Sequence, residues 1–170
     1  ATKDEGVGVT TSLKVFSMGR LPDIPATFLG NGLEIDPQTG AYNFTSQFLL
    51  GEKRVPTLHF AFAKYRHEVE HPNRFFVDFE GLKVVPADPE MSMETFAEEI
   101  GVADPAQLAA DLQPRIKLHS DFAYMDDEIR IQLGQLGGHY IMSRTDLPLY
   151  SIEYWRDKTI APPASAFRLP

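Results

Sequence analysis

Hydrophobic and polar residues alternate at every second position through the middle of the chain, which is typical of half-buried β-strands. The alternating runs cover residues 42–50, 58–63 and 75–80. Turn-forming residues separate these runs, namely Gly51, Pro56, Pro72, Asn73 and Gly81. Neighbouring strands joined by short connections pair most simply as an antiparallel meander. The pattern therefore predicts a mainly β chain built around one antiparallel sheet.

The hydrophobic period changes from two to about 3.6 residues after Pro86. Apolar residues then recur at helical spacing, at Met93, Phe96, Ala97 and Ile100. Asp88-Pro89 is expected to cap and begin this first helix, and Gly101 to end it. Asp104-Pro105 is expected to begin a second helix that runs to about Leu112. We therefore predict a short helical insert at about 88–113, placed as a lid or side cover on the sheet.

A strand, a glycine-bearing turn and another strand are predicted between residues 124 and 148. Ile129, Ile131 and Leu133 fall on one face of the first strand, while Arg130 and Gln132 fall on the other. Three glycines follow and are expected to supply the positive φ angles of a hairpin turn, at positions 134, 137 and 138.

This segment resembles the C-terminal signature of the plastid lipid-associated proteins, the PAP/fibrillin family. The matching positions are Tyr124, Met125, Asp126, Arg130, Ile131, Gly134, Gly137, the strand Tyr140–Met142, Arg144, Pro148 and Leu149. Weaker matches lie at Ile35-Asp36 with Thr39, Gly40 and Asn43, and at residues 76–82. The resemblance implies a lipocalin-like β-barrel in a chloroplast, at thylakoids or plastoglobules, which binds a lipid, a quinone or a carotenoid-like molecule without catalysis.

A barrel of about eight strands has an interior wide enough for one small ligand. The candidate ligand-binding residues are Phe60, Phe62, Val77, Phe79, Asp126 and Arg130. The four apolar residues either line such a cavity or simply fill a barrel core. Asp126 and Arg130 are either a polar pair near the barrel mouth, as the resemblance implies, or a structural pair that fixes a corner between strands. No cofactor is implied.

Length and composition favour one domain. The chain has 170 residues with a net charge of −8 and no cysteine. The absence of cysteine excludes disulfides and thiolate metal sites, and the acidic balance without a basic stripe argues against nucleic-acid binding. No apolar run reaches the roughly 20 residues of a membrane-spanning helix. We assign residues 1–160 to the barrel domain and residues 161–170 to an extended, proline-rich tail.

The sequence also contains a rival motif for zinc catalysis. His67-Glu68-Val69-Glu70-His71 matches H-E-x-x-H, which on a helix places two zinc ligands on one face. Pro72 follows at once, however, and the preceding residues alternate at period two. A polar hairpin end is the better interpretation, and we predict no metal site.

A second hypothesis makes the chain a structural accessory subunit of a membrane-associated complex, photosynthetic or from another organelle. Tyr154, Trp155 and Phe167 are the candidate partner-binding residues, because they are apolar and lie in or near the proline-rich tail. In this hypothesis the barrel is a scaffold and the tail is an anchor.

Overall fold

The fold is one antiparallel sheet of eight strands. The computed structural model describes residues 9–144, so the predicted tail at 161–170 and the partner-binding candidates Tyr154, Trp155 and Phe167 lie outside the described residues. The strands are β1 Val9–Ser12, β2 Pro25–Asp36, β3 Ala41–Leu50, β4 Val55–His67, β5 Arg74–Pro86, β6 Ala109–Met125, β7 Ile129–Gly134 and β8 His139–Ser143. Each strand pairs with the next in chain order. The predicted mainly β meander is therefore confirmed.

The sheet curls into half a barrel rather than closing on itself. Within residues 9–144, β1 pairs with β2 alone and β8 pairs with β7 alone, so these strands form the two edges. The predicted antiparallel barrel is thus present as a half-barrel with a concave inner face and a convex outer face.

Three short helical segments accompany the sheet: α1 Leu13–Phe16, α2 Met93–Glu99 and a 3₁₀ helix at Pro105–Leu108. The insert is confirmed as helical, but it is shorter than predicted. Its first helix begins after Ser92, whose hydroxyl accepts from the Thr95 N–H at 3.1 Å. Asp88 instead closes a turn by accepting from the Glu90 N–H at 2.9 Å.

The second predicted helix ends at Leu108, four residues before the predicted end at about Leu112. Asp104 caps it as expected by accepting from the Ala106 N–H at 2.9 Å. Ala109 then pairs with Lys83 as the first residue of β6. Pairing with the neighbouring strand therefore prevails over local helical preference at residues 109–112.

Buried side chains form three clusters. The basal cluster joins the helices to one end of the concave face and includes Leu13, Phe48, Leu50, Leu82, Val84 and Phe96. The upper cluster lies towards the other end of the strands and consists of Tyr42, Ala63, Phe75 and Val77. The outer cluster occupies the convex face and consists of Leu58, Phe60, Phe62 and Val85. The sheet therefore buries apolar side chains on both faces of β4 and β5.

A β-bulge in β5 decides which residues share a face. Phe62 pairs with Gly81, but the next residue, Ala63, pairs with Phe79, so Glu80 is an extra residue on β5. An extra residue reverses the alternation along a strand. Leu82 and Phe79 consequently both face inwards although they are three positions apart, and both contact the concave cavity.

Among residues 9–144, no helix has the length and apolar character needed to cross a membrane.

Candidate functional site

A cavity of about 540 Å³ lies on the concave face, between the basal and upper clusters. Its volume falls within the usual range of small-molecule sites. Much of its wall is apolar and comes from four strands, through Phe28, Phe44, Val77, Phe79, Leu82 and Leu118. The rings of Phe44 and Phe79 stack with centroids 5.9 Å apart. These walls suit the body of an apolar ligand.

Two of the four predicted apolar residues lie on this wall and two do not. Val77 and Phe79 line the cavity. The placement of Phe60 and Phe62 on the same wall is wrong, because both belong to the outer cluster on the convex face. The bulge at Glu80 explains the error, since it brings Val77 and Phe79 to the face opposite to that of Phe60 and Phe62.

His59 is the most unusual polar residue of the cavity, and the sequence prediction missed it. It lines the cavity, its side chain is 2% exposed, and neither ring nitrogen has a hydrogen-bond partner among the described residues. Phe16 and Phe48 approach the ring edge to face, with centroids at 5.2 and 6.2 Å. Burial lowers the pKa of His59 to about 4, so the imidazole is neutral near pH 7.

Two further polar side chains continue a row across the sheet from His59. Ser46 is its strand partner on β3, and Asn31 is the partner of Ser46 on β2. The Ser46 hydroxyl donates to the Asn31 side-chain oxygen at 3.4 Å, and both residues line the cavity. We call Asn31, Ser46 and His59 the polar row; none of the three carries a charge near neutral pH.

A second polar group surrounds the hydroxyl of Tyr42, in the upper cluster. The Gln132 amide nitrogen lies 3.3 Å from this hydroxyl and an Arg130 guanidinium nitrogen lies 3.2 Å from it. Burial raises the pKa of Tyr42 and lowers that of Arg130. Tyr42 and Gln132 line the cavity, so they place hydrogen-bonding groups in its wall.

Aromatic rings surround Arg130. Its guanidinium carbon lies 5.7, 5.0 and 4.7 Å from the ring centroids of Tyr42, Phe75 and Phe122. Stacking on aromatic faces stabilises a cation even when water is partly excluded. Arg130 therefore helps to close the upper end of the half-barrel.

Asp126 does not pair with Arg130. Its carboxylate accepts from the backbone N–H groups of Glu128 and Ile129 at 2.8 and 2.7 Å, and from the Tyr124 hydroxyl at 2.7 Å. The bond from Tyr124 is the main cause that lowers the pKa of Asp126, and the two backbone bonds add to it. Asp126 thus shapes the β6–β7 turn, as the corner-fixing hypothesis predicts, but it does so without Arg130.

The H-E-x-x-H residues do not form a helix. His67 ends β4, and residues 68–73 connect it to β5. The predicted hairpin end is confirmed. Within residues 9–144, no group of three histidine, aspartate or glutamate side chains is arranged to hold a metal ion.

Comparisons with protein-family models and with curated proteins found no match to this chain. The resemblance to the PAP/fibrillin family thus stays a prediction. The cavity combines apolar walls with a few uncharged polar groups.

Proposed function

We propose that this protein is a non-catalytic binder of one lipophilic small molecule, such as a lipid, a quinone or a carotenoid-like compound. The observation that carries the proposal is the cavity of about 540 Å³ on the concave face, with its largely apolar wall. Burial of apolar ligand surface contributes about 25 cal/mol per Å², so such a wall supplies the driving force for binding.

The PAP/fibrillin resemblance supports a plastid setting for this function, at thylakoids or plastoglobules. That support comes from the C-terminal motif, in which Arg130 does not line the cavity but donates a hydrogen bond to Tyr42, which does. Asp126, by contrast, holds the turn that begins β7.

The first experiment is mass spectrometry of the organic extract of the natively purified protein. We expect one lipophilic compound at close to one mole per mole of protein. The metal content of the same sample is measured alongside. An extract without any such compound would count against the proposal.

Titration with Nile red, a neutral apolar dye, tests whether the cavity is where binding occurs. The Ala61→Leu variant places a larger side chain on the cavity wall and is expected to weaken dye binding at least tenfold. Phe62→Leu changes the opposite face of the same strand and is the matched control, with binding within about twofold of wild type. Equal binding by all three proteins would place the dye elsewhere and contradict the proposal.

The second candidate function is a structural subunit of a membrane-associated complex, and one observation favours it. Apolar side chains are exposed along β7 and β8 and at the turn between them, namely Ile129, Leu133, Leu136 and Ile141, and the last two also border the cavity. Leu136 and Ile141 are 78% and 75% exposed, and partner proteins commonly cover such patches. An empty organic extract, together with stoichiometric polypeptides that Leu133→Lys releases, would favour this candidate, because Leu133 is exposed and does not line the cavity.

A further inference from the structure

We infer that the ligand of the cavity carries an uncharged oxygen, of an alcohol or a ketone, which hydrogen-bonds to His59 in the polar row. The inference rests on the proposed function and adds the chemical class of the ligand and its orientation. It places the polar end of the ligand against β2, β3 and β4, beside the basal cluster.

The first step is the cost of burying an unpaired imidazole. Buried polar groups in folded proteins almost always have hydrogen-bond partners, because an unpartnered donor or acceptor loses its interactions with water. His59 has two such atoms, and it contacts the cavity. Each ring nitrogen is itself almost inaccessible in this structure, so a small rotation of the imidazole towards the cavity has to accompany binding; a ligand oxygen then supplies the partner that the described residues do not.

The second step is the kind of oxygen. A neutral imidazole presents one N–H donor and one nitrogen acceptor. A hydroxyl can use either nitrogen, and a ketone oxygen can accept from the N–H. The side chains next to His59 on the same face are Ser46, Val84, Phe16 and Phe48, none of which is charged. A carboxylate would lose its hydration there without gaining a cation, so an uncharged oxygen fits better.

The third step is the rest of the ligand. Ser46 and Asn31 extend the hydrogen-bonding surface away from His59. Tyr42 lies four positions from Ser46 along β3, roughly 13 Å away at the rise of a strand. Between them the wall is apolar, with Phe44 and Phe79 stacked on each other. A molecule with one polar end and an apolar body therefore matches the order of groups along the cavity.

A matched set of ligands tests this inference. 2-Naphthol and 2-methylnaphthalene have nearly the same shape and differ in the hydroxyl, whereas 2-naphthoate carries a charge. Their affinities are measured by displacement of Nile red from wild-type protein and from His59→Leu. We expect the substitution to weaken 2-naphthol about tenfold, which is the net worth of one hydrogen bond, and to change 2-methylnaphthalene less than twofold. Wild type should bind 2-naphthoate at least tenfold more weakly than 2-naphthol.

Thr45→Val is the control variant. Thr45 also has a buried hydroxyl without a partner among the described residues, but it pairs with Phe60 and faces the convex side. It should leave the preference for 2-naphthol unchanged. Should His59→Leu fail to fold, the ¹⁵N resonances of the wild-type imidazole provide the same test, since they shift with 2-naphthol and not with 2-methylnaphthalene if the hydrogen bond forms.

The outcomes separate the inference from the function on which it rests. The inference is wrong if both neutral ligands bind and His59→Leu weakens them equally. It is also wrong if the imidazole resonances respond equally to both ligands. In either case the proposed function, binding of a lipophilic molecule, is still supported. If neither Nile red nor any neutral ligand binds the wild-type protein, the proposed function is wrong and the inference falls with it.

Discussion

His59 makes the stability of this protein depend on pH. Burial lowers its folded pKa to about 4, from an ordinary value of 6.5. Well above pH 6.5 the imidazole is neutral in both states, and its burial then causes no pH-dependent loss of stability. As the pH falls below 6.5, the unfolded chain binds a proton that the folded protein does not accept until about pH 4. Wild type is therefore expected to lose on the order of 3 kcal/mol of unfolding free energy across this window through His59.

Urea denaturation at half-unit steps from pH 7.5 to pH 4 measures this loss. His59→Leu should remove that part of the pH dependence, and the difference between the two profiles should level off near pH 4. His71→Gln, which removes an exposed imidazole in the β4–β5 connection, should keep the wild-type slope. Parallel profiles for wild type and His59→Leu would show that His59 does not cause the loss.

At the residue scale, sequence reasoning identified Arg130 but not its surroundings. The motif singled out Arg130 together with Asp126, which lies four positions away in the chain. The contacts that matter come from Tyr42, Phe75 and Phe122, on other strands. Such contacts depend on strand pairing across the whole sheet, and no local spacing reveals them. The sequence analysis missed His59 because this residue alternates with Leu58, Phe60 and Phe62 along β4. The pattern predicted that the phenylalanines, and not His59, face the interior.

At the element scale, the β7–β8 hairpin shows three glycines with different roles. All three were predicted to supply positive φ angles. Gly137 alone of them does so, with φ at +83°. Gly134 and Gly138 instead lie beneath the Tyr140 ring, where an added Cβ would come within 2.8 and 3.0 Å of its atoms. The turn thus requires glycine at 137 for its backbone conformation, whereas the exposed Tyr140 ring is free to move aside from a Cβ at 134 or 138.

Gly137→Ala is expected to lower the unfolding free energy by about 1 kcal/mol, because the left-handed conformation strains any residue with a Cβ. Gly137→Asn should lower it by less, since asparagine tolerates this conformation better than other residues. Gly30→Ala is the control: Gly30 has no positive φ and an added Cβ would meet nothing within 4 Å. Thermal or urea denaturation of the three variants measures the effects, and equal losses for alanine and asparagine at 137 would contradict the φ argument.

Strand pairing, also at the element scale, explains why only two of the four predicted apolar residues, Val77 and Phe79, lie on the cavity wall. Period-two alternation correctly located β3, β4 and β5 and separated the two faces of each run, but it assigned the inner and outer faces of β4 the wrong way round. It could not show which face of β4 meets which face of β5. The extra residue Glu80 sets that relation, and an ion pair at 2.9 Å joins its carboxylate to Arg115 on β6. A single inserted residue leaves almost no mark on a hydrophobic pattern, although it reverses the faces beyond it.

At the scale of the whole molecule, the two ends of the half-barrel are filled and the middle is not. Helices α1 and α2 bring side chains into the basal cluster, and aromatic residues fill the upper cluster around Arg130. The sequence predicted the sheet and the insert because both depend on local patterns. The unfilled centre arises from the relative positions of distant strands, and twelve phenylalanines in the composition are compatible with a filled core as well as with a hollow one.

A hollow centre means that stability and ligand binding should oppose each other in this protein. Ala61 and Ala63 are both buried on the concave face of β4, at 6% and 2% exposure. Ala61 belongs to the basal cluster and also borders the cavity, whereas Ala63 is packed in the upper cluster and does not line the cavity. Ala61→Leu is therefore expected to raise the unfolding free energy by about 1 kcal/mol while it weakens Nile red binding. Ala63→Leu should lower the unfolding free energy by about 1–3 kcal/mol, because that site has no room. Urea denaturation of both variants without ligand measures these changes in unfolding free energy. Equal destabilisation by the two substitutions would show that the space beside Ala61 is already filled in solution.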